Sequence, residues 1–303
     1  MSRSLRFYTL DVFTERRFGG NPLAVFTDGE GLSTELMQQI AREMNLSESV
    51  FVQPPRDSRA LCRARIFTPA RELPFAGHPT VGTGFVLAAL GRVALQNGRV
   101  TILLEEEVGL VQVNIESQGG RPGFVELSVA SLPSFRDPPA GRAELAKMLR
   151  LDTDALVDDA QAASCGLPFL FIPVRDRAAL ARASIDLQVW RAALGGYWTQ
   201  EVFVFCRDPE LEGSSIRARM FSPAFGIAED PATGSAAAGL GGYLGVRAPE
   251  SDGTLRWIVE QGFEMGRPSL LHVEIDKTGG RIAAVRVGGK SVLVSEGTFQ
   301  LDE

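Results

Sequence analysis

Two stretches of this sequence decide its fold: residues 77–83 read GHPTVGT, and residues 229–235 read EDPATGS. Each stretch follows a strand-like segment, IFTP at residues 66–69 and MFSP at residues 220–223. In each stretch a polar residue precedes a proline, which is typical of a helix start. The polar side chain caps the helix, and proline needs no N–H in the first turn. The chain is therefore predicted to contain two related halves, each with a helix N-terminus that attracts anions.

Length and composition restrict the class of protein. The 303 residues suffice for two ordinary domains, and 45% hydrophobic with 22% charged residues is typical of a globular protein. The net charge of −6 comes without a basic stripe, which argues against a nucleic-acid partner. No long apolar run opens the sequence, so neither a signal peptide nor a membrane span is expected. Cys62, Cys165 and Cys206 are widely separated, as expected of buried free thiols in a reducing compartment, by default the cytoplasm.

Hydrophobic periodicity predicts helices among many short strands. The helices are expected at residues 33–44 with Ser33 as the cap, 79–90, 142–150, 177–194 with a break, and 231–244. The final two strands are expected at residues 282–287 and 291–296, with the GGKS sequence of 288–291 as a hairpin turn. The distance from Val50 to Val202 along the chain equals that from His78 to Asp230, and Phe67 and Phe221 are separated almost equally. This spacing supports a duplication in which His78 and Asp230 are counterparts.

The helices at residues 79–90 and 231–244 have an unusual composition. The second contains Gly234, Gly239, Gly241 and Gly242 among alanines, and each interior glycine costs about 0.5–1 kcal/mol relative to alanine. Such a helix is stable only where its surroundings press closely on its backbone. Because neither helix has a charged face, both are predicted to be buried on all sides. The predicted architecture is α+β, with a buried helix enclosed by a curved sheet in each half.

The candidate site residues have structural as well as functional explanations. His78 and Asp230 fit helix caps, and only their position as counterparts suggests a shared site. A histidine at a helix N-terminus is expected to be neutral, since the helix dipole disfavours the imidazolium. The first turns of the two helices contain Thr80, Gly82 and Thr83, and Thr233, Gly234 and Ser235. Backbone N–H groups there can bind a carboxylate or an enolate-like charge, and close packing of small residues explains them equally well. No His/Cys/Asp cluster has the spacing of a metal site.

At these residues the sequence resembles the PhzF family, the phenazine-biosynthesis isomerases and their relatives. The matching segments are residues 11–13, 20–25, 45–49, 75–80, 229–235, 261–262 and 266–269, which span nearly the whole chain in order. The resemblance implies the diaminopimelate epimerase-like fold, with two pseudo-symmetric halves that each form a barrel-like β-sheet around a central buried helix. The halves are expected at residues 1–125 and 126–303, with the last strand, near 290–300, returning to the first half. The active site is expected between the halves, and the resemblance also implies a homodimer without a cofactor or a metal.

Carried over residue by residue, the resemblance implies that Glu48 is the general acid/base and that His78 and Asp230 are catalytic. Spacing alone does not distinguish Glu48 from the other acidic residues. The implied substrate-binding residues are Ser47, Gly77, Thr233, Gly234 and Ser235. The expected function is a cofactor-independent isomerase that moves a proton between carbons of a small carboxylate-bearing substrate, such as the phenazine precursor dihydro-hydroxyanthranilate.

Two other functions stay open. An epimerase or racemase would use Glu48 and Asp230 as opposed bases, and a non-catalytic member of the fold would bind its ligand without proton exchange. The epimerase relatives of the fold use two cysteines, but the corresponding positions, near Ala76 and Ala232, carry no cysteine. The sequence therefore excludes racemisation by a thiol pair.

Overall fold

The computed structural model describes residues 3–95 and 98–301, and the chain divides into two compact units. Unit 1 comprises Met1–Ala130 with Gly288–Glu303, and unit 2 comprises Ser131–Val287. The strands are β1 (Arg3–Val12), β2 (Asn21–Phe26), β3 (Glu48–Gln53), β4 (Cys62–Phe67), β5 (Glu72–Leu73), β6 (Gly98–Glu106), β7 (Gly109–Gln118), β8 (Arg121–Ser128), β9 (Ser134–Arg136), β10 (Gln161–Ser164), β11 (Pro168–Pro173), β12 (Val202–Cys206), β13 (Ile216–Ser222), β14 (Ile227–Asp230), β15 (Gly253–Gln261), β16 (Ser269–Thr278) and β17 (Arg281–Leu301). The α-helices are α1 (Thr34–Met44), α2 (Gly77–Ala89), α3 (Arg142–Met148), α4 (Arg177–Arg182), α5 (Leu187–Leu194) and α6 (Gly234–Arg247). Within the described residues, none of the helices is both long enough and apolar enough to cross a membrane.

Unit 1 is an eight-stranded closed barrel. Its strands pair in the order β1, β2, β3, β4, β6, β7, β8 and the C-terminal part of β17, which closes the barrel by pairing with β1. The pairs β2–β3 and β4–β6 are parallel, and parallel neighbours need a crossover connection. The first crossover contains α1, which packs on the outer face of the barrel, and the second contains α2.

The helix α2 fills the interior of this barrel. Every residue from Gly77 to Ala88 is buried. A Cβ atom at Gly82 would lie 2.5 Å from Leu23 Cδ2 and 2.9 Å from Val12 Cγ2, so the neighbouring strands leave no space for a larger residue. The prediction of a buried, glycine-dependent helix is confirmed.

The helix α1 is amphipathic and covers the other face of β2, β3 and β4. Met37 and Ile40 are buried against Phe26 and Phe51 of the sheet. Its N-terminus is capped by Ser33, whose Oγ accepts a hydrogen bond from the backbone N–H of Leu36 at 3.2 Å. The predicted helix and its cap are both confirmed.

Unit 2 repeats the arrangement around α6. Its strands pair in the order β9, β10, β11, β12, β13, β15 and β16, with β11–β12 and β13–β15 parallel. A Cβ atom at Gly241 of α6 would lie 2.7 Å from Val273 Cγ1 of β16, so this helix also depends on glycine for its packing. The helices α3, α4 and α5 form a separate core on the other face of β11 and β12, around Trp190 and Leu194. The chain thus has the α+β class and the diaminopimelate epimerase-like fold expected from its sequence.

The predicted caps of the two central helices are wrong. The N-cap residue is Ala76 in α2 and Thr233 in α6, and neither side chain makes a capping hydrogen bond. His78 is the second residue of α2, inside the helix, whereas Asp230 is the last residue of β14 and precedes α6. Pro79 lies in the first turn of α2, as predicted, whereas Pro231 lies in the segment that connects β14 to α6.

The predicted hairpin turn at residues 288–291 is also wrong. These residues lie within β17, a continuous strand of 21 residues that begins in unit 2 and ends in unit 1. A Cβ atom at Gly288 would lie 2.7 Å from the carbonyl oxygen of Val125. A close approach of two backbones, and not a turn, therefore explains this glycine. Because β17 is continuous, the last strand returns to unit 1. The units divide after Ala130, whereas the sequence placed the division after residue 125.

Candidate active site

In unit 1, Glu48 and His78 come together beside the N-terminus of α2. Glu48 is the first residue of β3, and its side chain is on the face opposite to that of Phe51, which packs against α1. The His78 Nε2 atom lies 3.4 Å from the Glu48 Oε2 atom. The two side chains are 5% and 14% exposed, so the carboxylate keeps limited access to solvent while the imidazole has almost none.

The imidazole of His78 is neutral. Burial lowers the pKa of His78 from 6.5 to about 3, which confirms the expected neutral state but assigns it to desolvation. A neutral imidazole nitrogen either donates to a carboxylate or accepts from a carboxylic acid, depending on its tautomer. His78 can therefore accompany Glu48 in both protonation states, as a neighbour of a general acid/base must.

In unit 2, Asp230 belongs to a buried hydrogen-bond network. The Thr233 hydroxyl donates to Asp230 Oδ2 at 2.5 Å. The Gln261 side-chain amide donates to the Thr233 hydroxyl at 3.0 Å and to the Asp230 carbonyl at 2.8 Å, and Gln261 Oε1 accepts from the Thr233 N–H at 3.1 Å. This network fixes both the carboxylate and the segment that leads into α6.

The other sequence-predicted residues lie around the starts of the two central helices. In unit 1, Ser47 is half-buried and directly precedes β3, and Gly77 is the buried first residue of α2. In unit 2, Gly234 is the buried first residue of α6, and Ser235 follows it and is half-buried. The structure thus places the candidates in two groups, one at each helix N-terminus, where backbone N–H groups can bind an anion.

The structural alignment of the two units differs from the alignment that the spacing of the sequence motifs suggested. The N-cap residues Ala76 and Thr233 are equivalent positions, so the counterpart of His78 in α6 is Ser235. Glycine contacts support this alignment, since Gly84 of α2 approaches Val113 and Val125 whereas Gly241 of α6 approaches Val273 and Val285. Val113 of β7 therefore corresponds to Val273 of β16, and Val125 of β8 corresponds to Val285 of β17.

Asp230 has a different counterpart from the one predicted. It pairs with Met220 of β13, and the equivalent pair in unit 1 is Leu73 with Ile66. The prediction that His78 and Asp230 are counterparts is therefore wrong. Asp230 follows its partner Met220 by ten residues, whereas Leu73 follows Ile66 by seven. The longer β13–β14 hairpin displaces the second proline motif relative to the first, and the local similarity of the two motifs concealed this.

Strand register identifies a residue that the sequence did not single out. Ser49 pairs with Phe67, and Val202 pairs with Phe221, so Val202 corresponds to Ser49 and not to Val50. Glu201, directly before β12, therefore occupies in unit 2 the position of Glu48 in unit 1. Glu201 is only 7% exposed. A one-residue shift exchanges the two faces of a strand, which is why equal spacing failed to find it.

The three cysteines are chemically unreactive. All three are buried and free of disulfides, as predicted. Burial raises the pKa of the Cys62 and Cys165 thiols to about 12 and that of Cys206 to about 11, so the thiols are protonated and unreactive. Within residues 3–95 and 98–301, no group of three His, Cys, Asp or Glu side chains could hold a metal ion.

Comparison with known proteins places the chain among relatives. The family described as "Phenazine biosynthesis-like protein" matches residues 10–297. The chain belongs to this PhzF family. It is 36% identical, over 98% of this chain and 99% of the relative, to the trans-2,3-dihydro-3-hydroxyanthranilate isomerase of Pseudomonas aeruginosa. It is 40% identical to an uncharacterised isomerase of Mesorhizobium japonicum, over 95% and 96% of the two chains.

Solved structures agree with this assignment. The PhzF-family phenazine biosynthesis protein of Bacillus anthracis superposes with a TM-score of 0.88 at 26% identity, over 98% of this chain and 99% of that protein. Since relatives that match almost end to end are named isomerases, this PhzF-family chain is an isomerase.

Proposed function

We propose that this PhzF-family isomerase moves a proton between two carbons of a small, unsaturated, carboxylate-bearing substrate, with Glu48 as the general acid/base. The observation that carries the proposal is the contact of Glu48 with the neutral imidazole of His78, 3.4 Å apart at the N-terminus of a buried helix. The name of the Pseudomonas aeruginosa relative supports trans-2,3-dihydro-3-hydroxyanthranilate, or a similar cyclic acid, as the substrate.

In the proposed reaction, the Glu48 carboxylate removes a proton from one substrate carbon, and the electron pair delocalises into the adjacent double bond. The resulting Glu48 carboxylic acid then returns the proton to another carbon of the same conjugated system, so that the double bond moves and no atom is gained or lost. His78 stays neutral throughout, and with its proton on Nε2 it is placed to donate to the Glu48 carboxylate that takes the substrate proton. The reaction needs no cofactor.

We propose substrate-binding roles for the residues at the start of each central helix. The amides at Gly77 and Gly234, with the side chains of Ser47 and Ser235, are suited to a carboxylate, because helix N-termini present N–H groups and a favourable dipole. Asp230, held by the Thr233 hydroxyl, is suited to a hydroxyl or amino group of the substrate. The family resemblance supports a homodimer, and the composition of the sequence supports a cytoplasmic protein without nucleic-acid or membrane partners.

The test uses trans-2,3-dihydro-3-hydroxyanthranilate in deuterated water, followed by absorbance and proton NMR. Glu48→Gln is expected to lower kcat by about 10²–10⁴-fold, the usual loss of a general acid/base. Glu43→Gln removes the same charge from the exposed side of α1 and is the matched control, with near wild-type turnover. Equal turnover of the two variants would refute the role of Glu48.

A second candidate function is a two-base epimerase, for which the buried Glu201 is the candidate second base. A two-base enzyme needs an acidic residue on either side of one carbon. The strand register makes Glu201, and not the sequence-predicted Asp230, the counterpart of Glu48. An epimerase would incorporate solvent deuterium with inversion when tested on enantiopure α-amino acids, and Glu201→Gln would block exchange from one enantiomer only. An isomerase would show no inversion.

A further inference from the structure

Glu106 is a buried acid that the proposed reaction does not use. It is the last residue of β6 and is 3% exposed. Its Oε1 atom lies 2.5 Å from the Thr80 hydroxyl oxygen. The same hydroxyl oxygen lies 2.7 Å from the carbonyl oxygen of Ala76, the N-cap residue of α2.

The Thr80 hydroxyl has two short oxygen contacts and one hydrogen to share between them. A threonine hydroxyl has one hydrogen to donate, and a backbone carbonyl can only accept. If Thr80 donates to Ala76, the short contact with Glu106 is a hydrogen bond only when the carboxyl carries a proton and donates it to the Thr80 oxygen. With a proton on Glu106, a continuous donor chain runs from Glu106 through Thr80 to the Ala76 carbonyl, and both short contacts are hydrogen bonds. A carboxylate in the same position would place two acceptors around one hydrogen.

The equivalent position in unit 2 holds an amide. Arg63 pairs with Glu105 across the parallel strands β4 and β6, and Arg217 pairs in the same register with Glu260 across β13 and β15. The resemblance extends to the loops, since Glu105 and Glu260 each accept hydrogen bonds from two backbone N–H groups in the connection before β4 or β13. The next residue in each strand is Glu106 in unit 1 and Gln261 in unit 2.

Gln261 makes the same kind of donor chain. Its amide N–H donates to the Thr233 hydroxyl, which donates to Asp230. Thr233 is the N-cap residue of α6, as Ala76 is that of α2. Both units therefore fix the N-cap of the central helix from the end of an equivalent strand, through a threonine hydroxyl. An amide is always a donor, whereas a carboxyl is a donor only when it is protonated.

We propose that Glu106 is a positioning residue that works as a neutral carboxylic acid: through Thr80 it fixes Ala76 and the first turn of α2, and so holds His78 beside Glu48. Its catalytic consequence rests on the proposed function, whereas its protonation state does not. Loss of the proton would break the donor chain and place a negative charge beneath the helix that carries His78.

The surrounding groups do not compete for this proton near neutral pH. Burial raises the pKa of Glu106 from 4.5 to about 8, although the hydrogen bond from Thr80 acts in the opposite direction. His78 on α2 has its pKa lowered to about 3, and Cys62 on β4 has its pKa raised to about 12, so neither changes charge between pH 6 and 9. Glu105 is on the opposite face of β6, where it pairs with Arg63. The charge of Glu48 on β3 is removed by the Glu48→Gln variant in the NMR experiment.

A substrate-independent experiment tests the protonation state. The chain has two histidines, so the variant His272→Gln leaves His78 as the sole imidazole signal in long-range ¹H–¹⁵N NMR. We expect the His78 ring nitrogens to shift with a midpoint near pH 8 as Glu106 ionises. The shift should persist when Glu48→Gln is added and disappear when Glu106→Gln is added. A shift that survives Glu106→Gln, or the absence of any shift up to pH 10, would overturn the proposal whatever the enzyme's substrate.

An activity experiment tests the positioning role with trans-2,3-dihydro-3-hydroxyanthranilate as the probe. Glu106→Ala is expected to lower kcat about tenfold or more with little change in KM, because the misplaced first turn weakens a contact needed in the transition state. Glu106→Gln, which retains the donor as Gln261 does in unit 2, should restore most of that loss and extend activity above pH 8. A Glu106→Gln variant as impaired as Glu106→Ala would contradict the donor role. If wild type itself fails to turn over this probe, the proposed substrate fails, and the NMR result still decides the state of Glu106.

Discussion

The proton on Glu106 predicts a specific loss of stability at alkaline pH. The pKa of this carboxyl is about 8 in the folded chain and has an ordinary value of 4.5. Between these values the folded state holds a proton that the unfolded state has released, so the free energy of unfolding falls as pH rises. The stabilisation is complete below pH 4.5 and lost as the pH passes 8. At about 1.4 kcal/mol per pKa unit, the difference between these two pKa values corresponds to a loss of at most about 5 kcal/mol. Relaxation around the buried charge reduces the expected loss in the free energy of unfolding to about 2–3 kcal/mol.

Glu106→Gln should remove this loss, because an amide does not titrate. Urea unfolding, followed by far-UV circular dichroism at pH 5, 6.5, 8 and 9, compares the slopes of unfolding free energy against pH. The variant should match wild type within about 1 kcal/mol at pH 5 and exceed its stability by about 2 kcal/mol at pH 8. Glu107→Gln, at the neighbouring exposed position, is the matched control and should keep the wild-type slope. Parallel curves for wild type and Glu106→Gln would show that Glu106 is ionised in the folded chain and refute the argument.

Two further substitutions test the buried histidine and the packing of the central helices. The pKa of His78 falls from 6.5 to about 3 on folding, so the unfolded chain binds the extra proton and stability is lost as pH falls below 6.5. This loss amounts to about 2 kcal/mol at pH 5, and in acid unfolding curves it should vanish in His78→Gln but persist in His272→Gln. Gly241→Ala should lower stability by about 1–3 kcal/mol in thermal unfolding, because its Cβ would lie 2.7 Å from Val273 Cγ1. Gly196→Ala, whose Cβ meets nothing within 4 Å, should have a small effect, and an equal cost for both glycines would contradict the packing argument.

The features that the sequence predicted correctly depend on local patterns. The amphipathic period and the Ser33 cap specified α1, because both are determined within one segment of chain. The lack of a charged face and the many glycines specified α2 and α6 as buried helices, because an exposed glycine-rich helix would not be stable. Family resemblance added Glu48, which no local pattern distinguishes, and its contact with His78 appeared only when β3 and α2 were packed together.

The features that the sequence missed depend on pairings between distant segments. The donor chain through Glu106 joins the end of β6 to the first turn of α2, and no spacing within either element indicates it. Gln261 lay within a motif of the family resemblance, but its role follows from three hydrogen bonds to the segment before α6. Likewise, the glycines of β17 indicated a turn because the close backbone of Val125 could not be known in advance.

The corrected alignment of the units changes the argument about chemistry. The proline motifs suggested that His78 and Asp230 are equivalent, but the helix starts make Ser235 the counterpart of His78, and strand register makes Glu201 the counterpart of Glu48. Unit 1 thus joins a carboxylate to an imidazole, whereas the equivalent positions of unit 2 hold a carboxylate and a hydroxyl. A two-base epimerase needs a second acid that exchanges a proton with the same carbon, and the position equivalent to His78 in unit 2 holds Ser235 in place of an imidazole. An isomerase needs only one base that gives back the proton it takes, so the asymmetry favours transfer through Glu48 over the two-base alternative.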